Sequence, residues 1–151
     1  MQRHSPRARQ ATSTRLTTCF EDLTAGLRAW AGGLLCLAAA VELLISHGHW
    51  LWREDFDDLA LGWTRHVFTG QRWVTVDFAA AVQALLAGVL PCSAGERQIL
   101  LIAASIAEGI PVDLRQATEN LDIDGVALVV RAIAGAAGLS GAGDAAAGIA
   151  R

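Results

Sequence analysis

The sequence predicts an all-α domain, a compact bundle of about five to six helices with disordered N- and C-terminal tails. Three observations lead there. Apolar residues recur at steps of three and four along most of the 151-residue chain, the spacing that gathers them on one face of a helix. Ser, Thr and Asp stand just before these apolar series, and Gly or Pro just after them, as helix caps and stops require. Only one stretch, Trp73–Val76, has strand character, and four residues without an evident partner make a poor sheet.

Residues 1–17 are rich in Arg, Ser, Thr and Gln and show no apolar period, so a disordered tail is expected. Thr18-Cys19-Phe20-Glu21 has the form of a capping box. From there Leu23, Leu27, Trp30, Leu34, Leu37, Val41, Leu44 and Ile45 predict one long helix over about 19–46, stopped by Gly48. The pair Gly32-Gly33 is a candidate kink within it. A connector, His47–Arg53, precedes a second helix whose first turn carries Glu54, Asp55, Asp57 and Asp58 at the positive dipole end. Its expected inner face is Phe56, Leu59, Ala60, Trp63 and Val67, ending by Gly70. Trp73–Val76 then reads as an extended connector.

Asp77 caps a third helix, 78–89, with Phe78, Val82, Leu85, Leu86 and Val89 inward. Ser93-Ala94-Gly95-Glu96 is a second capping box and opens a helix to Glu108, expected to be central. Gly109-Ile110-Pro111 ends it. A short helix over about 112–119 carries Leu114 and Ala117 inward. Asp122 caps the last helix, 123–137, with Ile123, Val126, Val129, Val130 and Ile133 inward, and Gly138 stops it. The expected organisation is thus a tail (1–17), one helical domain (18–138) and a Gly/Ala-rich flexible tail (139–151).

Composition narrows the function classes. With 53% hydrophobic and 18% charged residues the chain has ample material for a core. The uncharged run Ala29–Val41 is thirteen residues long, short of the roughly 20 needed to cross a bilayer; no membrane is expected. Three cysteines at 19, 36 and 92 suit free thiols in a reducing cytoplasm. Cys36, among leucines, is expected in the core. Residues 1–19 hold four arginines and no acid (+4), while the remainder holds eight arginines against fifteen acids (−7). Tail and body therefore carry opposite signs. With a net charge of −3, nucleic acid is an unlikely main partner, although the tail could add salt-dependent attraction to phosphate.

Several residues bear chemistry worth testing. His47 and His49, two apart, project to one side of an extended segment and could begin a metal site, completed by Glu54, Asp55 or His66. Against that, no second ligand pair exists in the sequence, and histidines at a helix C-terminus also serve the orphan carbonyls. Cys92 precedes the Ser93 cap, where a helix dipole could lower its thiol pKa; the plainer expectation is a small loop hydrophobe. Glu42 interrupts an apolar run; it is expected on an exposed edge or, if buried, paired with Arg53, Arg97 or Arg115. The order of helices over 94–137 mimics a helix-turn-helix, but its would-be reading helix carries one basic residue, Arg131, too little to read a groove. Trp50 and Trp52 share a side if extended and diverge by about 200° if helical. With Arg53 they form the candidate partner-binding set, because Trp and Arg dominate binding hot spots; the competing expectation is that all five tryptophans fill the core.

The stretches Val41–Phe56 and Leu90–Leu121, with Asp122, resemble small helical actinobacterial proteins that have no assigned activity. The resemblance implies a bacterial cytoplasmic setting and carries over no functional residue. The leading expectation is a non-enzymatic helical module that binds another protein or itself, with no cofactor. The alternative is a metal- or thiol-dependent enzyme built on His47, His49 and Cys92. A third reading is an accessory nucleic-acid binder acting through the arginine tail.

Overall fold

The structure, a computed structural model, describes residues 6–139, with side chains described from Cys19 onward. The expected C-terminal tail, apart from Leu139, lies outside the described residues. The protein is mostly helical, as expected, but the described residues form seven helices and a small sheet rather than a purely helical bundle of five or six. They are α1 (Pro6–Ala31), α2 (Leu35–His47), α3 (Glu54–Ala60), α4 (Phe78–Leu86), α5 (Ala94–Glu108), α6 (Leu114–Asn120) and α7 (Ile123–Ala136). A 3-10 turn, Trp50–Trp52, precedes α3, and strands β1 (Leu61–Arg65) and β2 (Arg72–Val76) separate α3 from α4. No described helix is long and apolar enough to cross a membrane.

The long first helix is two helices. Gly33 takes a φ of 86°, a conformation open to glycine and strained for other residues, so the pair 32–33 breaks the helix instead of kinking it. Leu34, expected inward, sits in this break and is exposed. The start also moves: α1 begins at Pro6, ahead of the Thr18 box. Proline suits a first helical position, and Arg7, Ala8, Arg9, Gln10 and Ala11 are strong helix formers.

The second helix is cut short. α3 ends at Ala60, and β1 pairs antiparallel with β2 in the register Leu61↔Val76, Trp63↔Val74, Arg65↔Arg72. Trp73–Val76 therefore has a partner, supplied by residues expected to be helical. Gly62 allows this: a Cβ there would lie 2.5 Å from Thr75 Oγ1. The hairpin is closed by His66 and Gln71 (N–O 2.8 Å) around four loop residues, with Gly70 at φ 67°. Val67, placed inward by the helical reading, is 90% exposed there beside Phe68.

Caps elsewhere hold where expected. Asp77 accepts from Ala80 N, Asp122 from Gly125 N, and Ser93 with Glu96 forms a complete capping box. Gly109 closes α5 in the left-handed conformation. Each of these side-chain N-caps stabilises its helix by about 1 kcal/mol.

α2 packs against α5 and α7, and α1 packs against β2 and α2. The core gathers Leu27, Val41, Leu43, Leu44, Trp50, Phe56, Val74, Phe78, Leu85, Ile99 and Leu100. Several residues expected inside are outside: Leu59, Trp63, Leu86, Val89 and Leu114 are exposed, as are Ile123, Val126, Val130 and Ile133 on α7. Cys36 is exposed as well, because it lies in the first turn of α2, at the edge of the body. Helical spacing identifies an apolar face but not whether a neighbour covers it.

Candidate functional site

The 3-10 turn settles how the two neighbouring tryptophans sit. Helical winding sends them apart: Trp50 is fully buried and Trp52 is 55% exposed. The Trp50 indole donates to the Glu96 carbonyl at 3.0 Å and packs on Phe56, with ring centroids 5.5 Å apart. It is a core residue and cannot contact a partner. Trp52 instead lies flat on Phe20, with centroids 4.3 Å apart and planes within 6°. Trp63, 48% exposed, donates to Asp57 Oδ1 at 3.1 Å. Together with Cys19, Leu23, Glu54 and Asp57 these aromatics line a cleft of about 170 Å³. Trp63 enters this cleft from β1, so its part is invisible while it is assigned to a helix.

Arg53 borders the cleft but is committed. Its guanidinium sits 5.0 Å over the Trp50 ring, pairs with Asp55 through Nε–Oδ1 at 2.8 Å, and donates to the Pro91 carbonyl at 2.6 Å. This hydrogen-bonded pairing holds the Asp55 carboxyl below its usual range. Arg53 thus ties the turn to the loop before α5.

His47 and His49 meet a second group at the N-terminus of α5. His49 Nδ1 lies 3.2 Å from Glu96 Oε1, and the two imidazoles sit edge to face with centroids 6.1 Å apart. His47, Ser93, Glu96, Asn120 and Asp122 line an open polar corner of about 320 Å³. Glu96 is engaged there by the Ser93 amide at 2.7 Å, which is the first cause of its lowered carboxyl pKa. Among the described residues, no three His, Cys, Asp or Glu side chains converge as a metal-holding group. His66 is elsewhere, at the hairpin, with its ring 4.9 Å from that of Trp73.

Cys92 is half-buried against the core, the place of a small loop hydrophobe rather than of an activated thiol. Burial pushes its thiol up, and the Glu96 carboxylate adds to the rise. The capping box adds the smaller part: it sets an anion at the helix end whose dipole would otherwise favour the thiolate. Glu42 is exposed, as expected, and pairs with Arg28 (Nε–Oε1 2.6 Å, Nη2–Oε2 3.1 Å) rather than with Arg53, Arg97 or Arg115, an exposed pair of small energetic weight. It borders an apolar groove of about 360 Å³ between α2 and α7.

His47 has a further consequence for stability. Its Nδ1 is buried without a hydrogen-bond partner, and burial, then the neighbouring His49, pushes its pKa below the usual value. Glu96 and Asp122 oppose that shift. The folded state therefore binds fewer protons here than the unfolded chain, so stability falls as pH drops through and below about 6.5. Urea unfolding between pH 7.5 and 5.5 should show a decline for the wild type that is shallower for His47→Gln; parallel curves would refute the assignment.

Comparison of the chain with protein-family models, with curated proteins and with solved structures returned no match.

Proposed function

We propose that this protein is a non-enzymatic binding module that presents the cleft of Phe20, Trp52 and Trp63 to a protein partner. The exposed face of Trp52 carries the proposal. A large indole held flat on Phe20 has little conformational freedom to lose on binding, and such rigid aromatics dominate binding energies. Glu54 and Asp57 on the same cleft, within a body that is net acidic, favour a partner segment carrying a cationic side chain next to an apolar one. A cytoplasmic bacterial setting, in keeping with the resemblance noted above, belongs to the same proposal.

Metal or thiol chemistry around His47, His49 and Cys92 has weaker support. His49 faces Glu96, Glu96 serves the cap, and the Cys92 thiol is shifted away from its nucleophilic form. The nucleic-acid reading rests on Arg3, Arg7, Arg9 and Arg15, whose side chains lie outside the described residues.

Trp52→Ala tests the proposal, since Trp52 is largely outside the core and its loss should leave the helical circular dichroism intact. The immobilised wild-type chain should retain a specific partner from a lysate of its host. The variant should weaken that binding by about 30-fold, the effect of losing a 2 kcal/mol contact. Equal retention by a folded variant, or no retained partner, would overturn it.

A further inference from the structure

We infer that the tip of the β1–β2 hairpin docks on an anionic phospholipid surface, with Val67 and Phe68 entering the headgroup layer and Arg65 and Arg72 holding lipid phosphate beside them. Val67 and Phe68 are 90% and 93% exposed, the two most exposed large apolar side chains among the described residues. They are neighbours in a loop that is braced. His66 and Gln71 close it, and Gly70 N donates to the His66 carbonyl at 2.9 Å. The His66 ring lies 6.0 Å from that of Phe68 and 4.9 Å from that of Trp73. Single exposed apolar residues are ordinary; two held out together on a closed turn form a wedge.

The strands behind the wedge supply its charge. Antiparallel partners share a face of the ribbon, so Leu61, Trp63 and Arg65 stand on the same side as Val76, Val74 and Arg72. At the base that side is core, since Val74 and Val76 are buried. At the tip it ends in two arginines directly opposite each other, a like-charge pairing that works against the fold. Between Asp58 and Asp77 the chain has no acidic residue. Arg65 has no ion pair among the described residues, and Arg72 reaches only Asp22, at 3.7 Å with both side chains more than half exposed. With Trp63 and Thr64 the two arginines line an open hollow of about 300 Å³. A guanidinium binds phosphate through two parallel N–H bonds, and two of them at one hollow suit a doubly contacted phosphate.

An apolar pocket on a partner protein would account for the wedge alone, and free phosphate for the arginines alone. An anionic bilayer surface accounts for both, because apolar burial and attraction to acidic headgroups act together there. Trp63 and Trp73, just behind the tip, are of the residue type that favours the headgroup level. The shortness of the apolar runs in this chain bears on crossing a bilayer, not on resting against one. With so small a wedge, the attachment is reversible and sensitive to salt.

Co-sedimentation of the full chain with vesicles of phosphatidylcholine and phosphatidylglycerol in equal parts, at millimolar lipid and low salt, tests this. The wild type should pellet with them, be released as salt rises, and stay in solution with phosphatidylcholine alone. Phe68→Ser should lower the partition coefficient by about fivefold or more. Arg65→Gln combined with Arg72→Gln should lower it by about 25-fold, from roughly fivefold for each arginine beside an anionic leaflet. These side chains are exposed, so the variants should keep their helical circular dichroism. Trp52→Ala should pellet like the wild type, which separates this surface from the aromatic cleft. The four arginines among residues 1–19 also attract acidic vesicles; binding that survives Phe68→Ser and the double arginine change would belong to them and overturn the inference. So would equal binding to phosphatidylcholine alone, or a wild type left in solution by the anionic vesicles, which would assign the tip to a protein partner.

Discussion

Trp50→Ala is expected to lower the unfolding free energy by about 3–5 kcal/mol, the range for removing a buried aromatic. Trp50 is fully buried and joins parts of the chain that are distant in sequence. Its ring packs on Phe56, its indole N–H holds the first turn of α5 through the Glu96 carbonyl, and Arg53 covers its face. Truncation opens a cavity and also leaves that carbonyl one donor short. Because small domains are stable by only about 5–15 kcal/mol, the variant should be close to unfolding at room temperature. Trp50→Phe, which keeps most of the bulk, should lose less. Urea denaturation reads both, and a loss below about 1 kcal/mol for the alanine variant would mean that the ring is not a keystone of the core.

Gly26→Ala should be the second most damaging small change, although alanine is the better helix former by about 1 kcal/mol. Gly26 lies in α1 where the helix crosses β2. A Cβ there would stand 2.6 Å from Val74 Cγ2 and 3.2 Å from Val74 N. Val74 is fully buried, so neither side can yield cheaply, and a net loss of about 2 kcal/mol is expected. Gly135→Ala provides the contrast. Its added Cβ would meet Ala39 Cβ at 3.6 Å, an ordinary contact, and the variant should gain up to about 1 kcal/mol from helix propensity. Thermal unfolding of the two variants should therefore move in opposite directions; a stabilised Gly26→Ala would show that α1 sits farther from the sheet.

The features legible in the sequence are those decided by residues close together along the chain. Asp77, Ser93 with Glu96, Gly109 and Asp122 each act on backbone groups within four residues of themselves, and each stands where its residue type predicts. The hairpin was hidden because its cause is non-local. Phe56, Leu59, Ala60, Trp63 and Val67 satisfy a helical period, yet Gly62 and the pairing with Arg72–Val76 prevail. The α7 stripe was misplaced for a related reason: periodicity counts apolar residues without revealing which face meets a neighbour.

The site was half legible. Trp52 was a candidate from the sequence, and the tight winding of Trp50–Trp52 explains why its neighbour in that pair is core instead. Phe20 and Trp63 were absent from the expected contact set, because only the folded chain brings α1 and β1 beside the turn. The histidines do converge on one corner, but their meeting with Glu96 depends on how α5 lies against the end of α2.

The way α1 crosses the hairpin bears on how this small sheet avoids growing. In the antiparallel register, the amide of Val74 points away from β1, and Gly26 lets the helix come down on that margin of β2. One rim of the ribbon is therefore roofed. The opposite rim, along β1, offers its unpaired backbone over only five residues and carries an arginine at its end, the shortness and charge that discourage a stray strand from annealing.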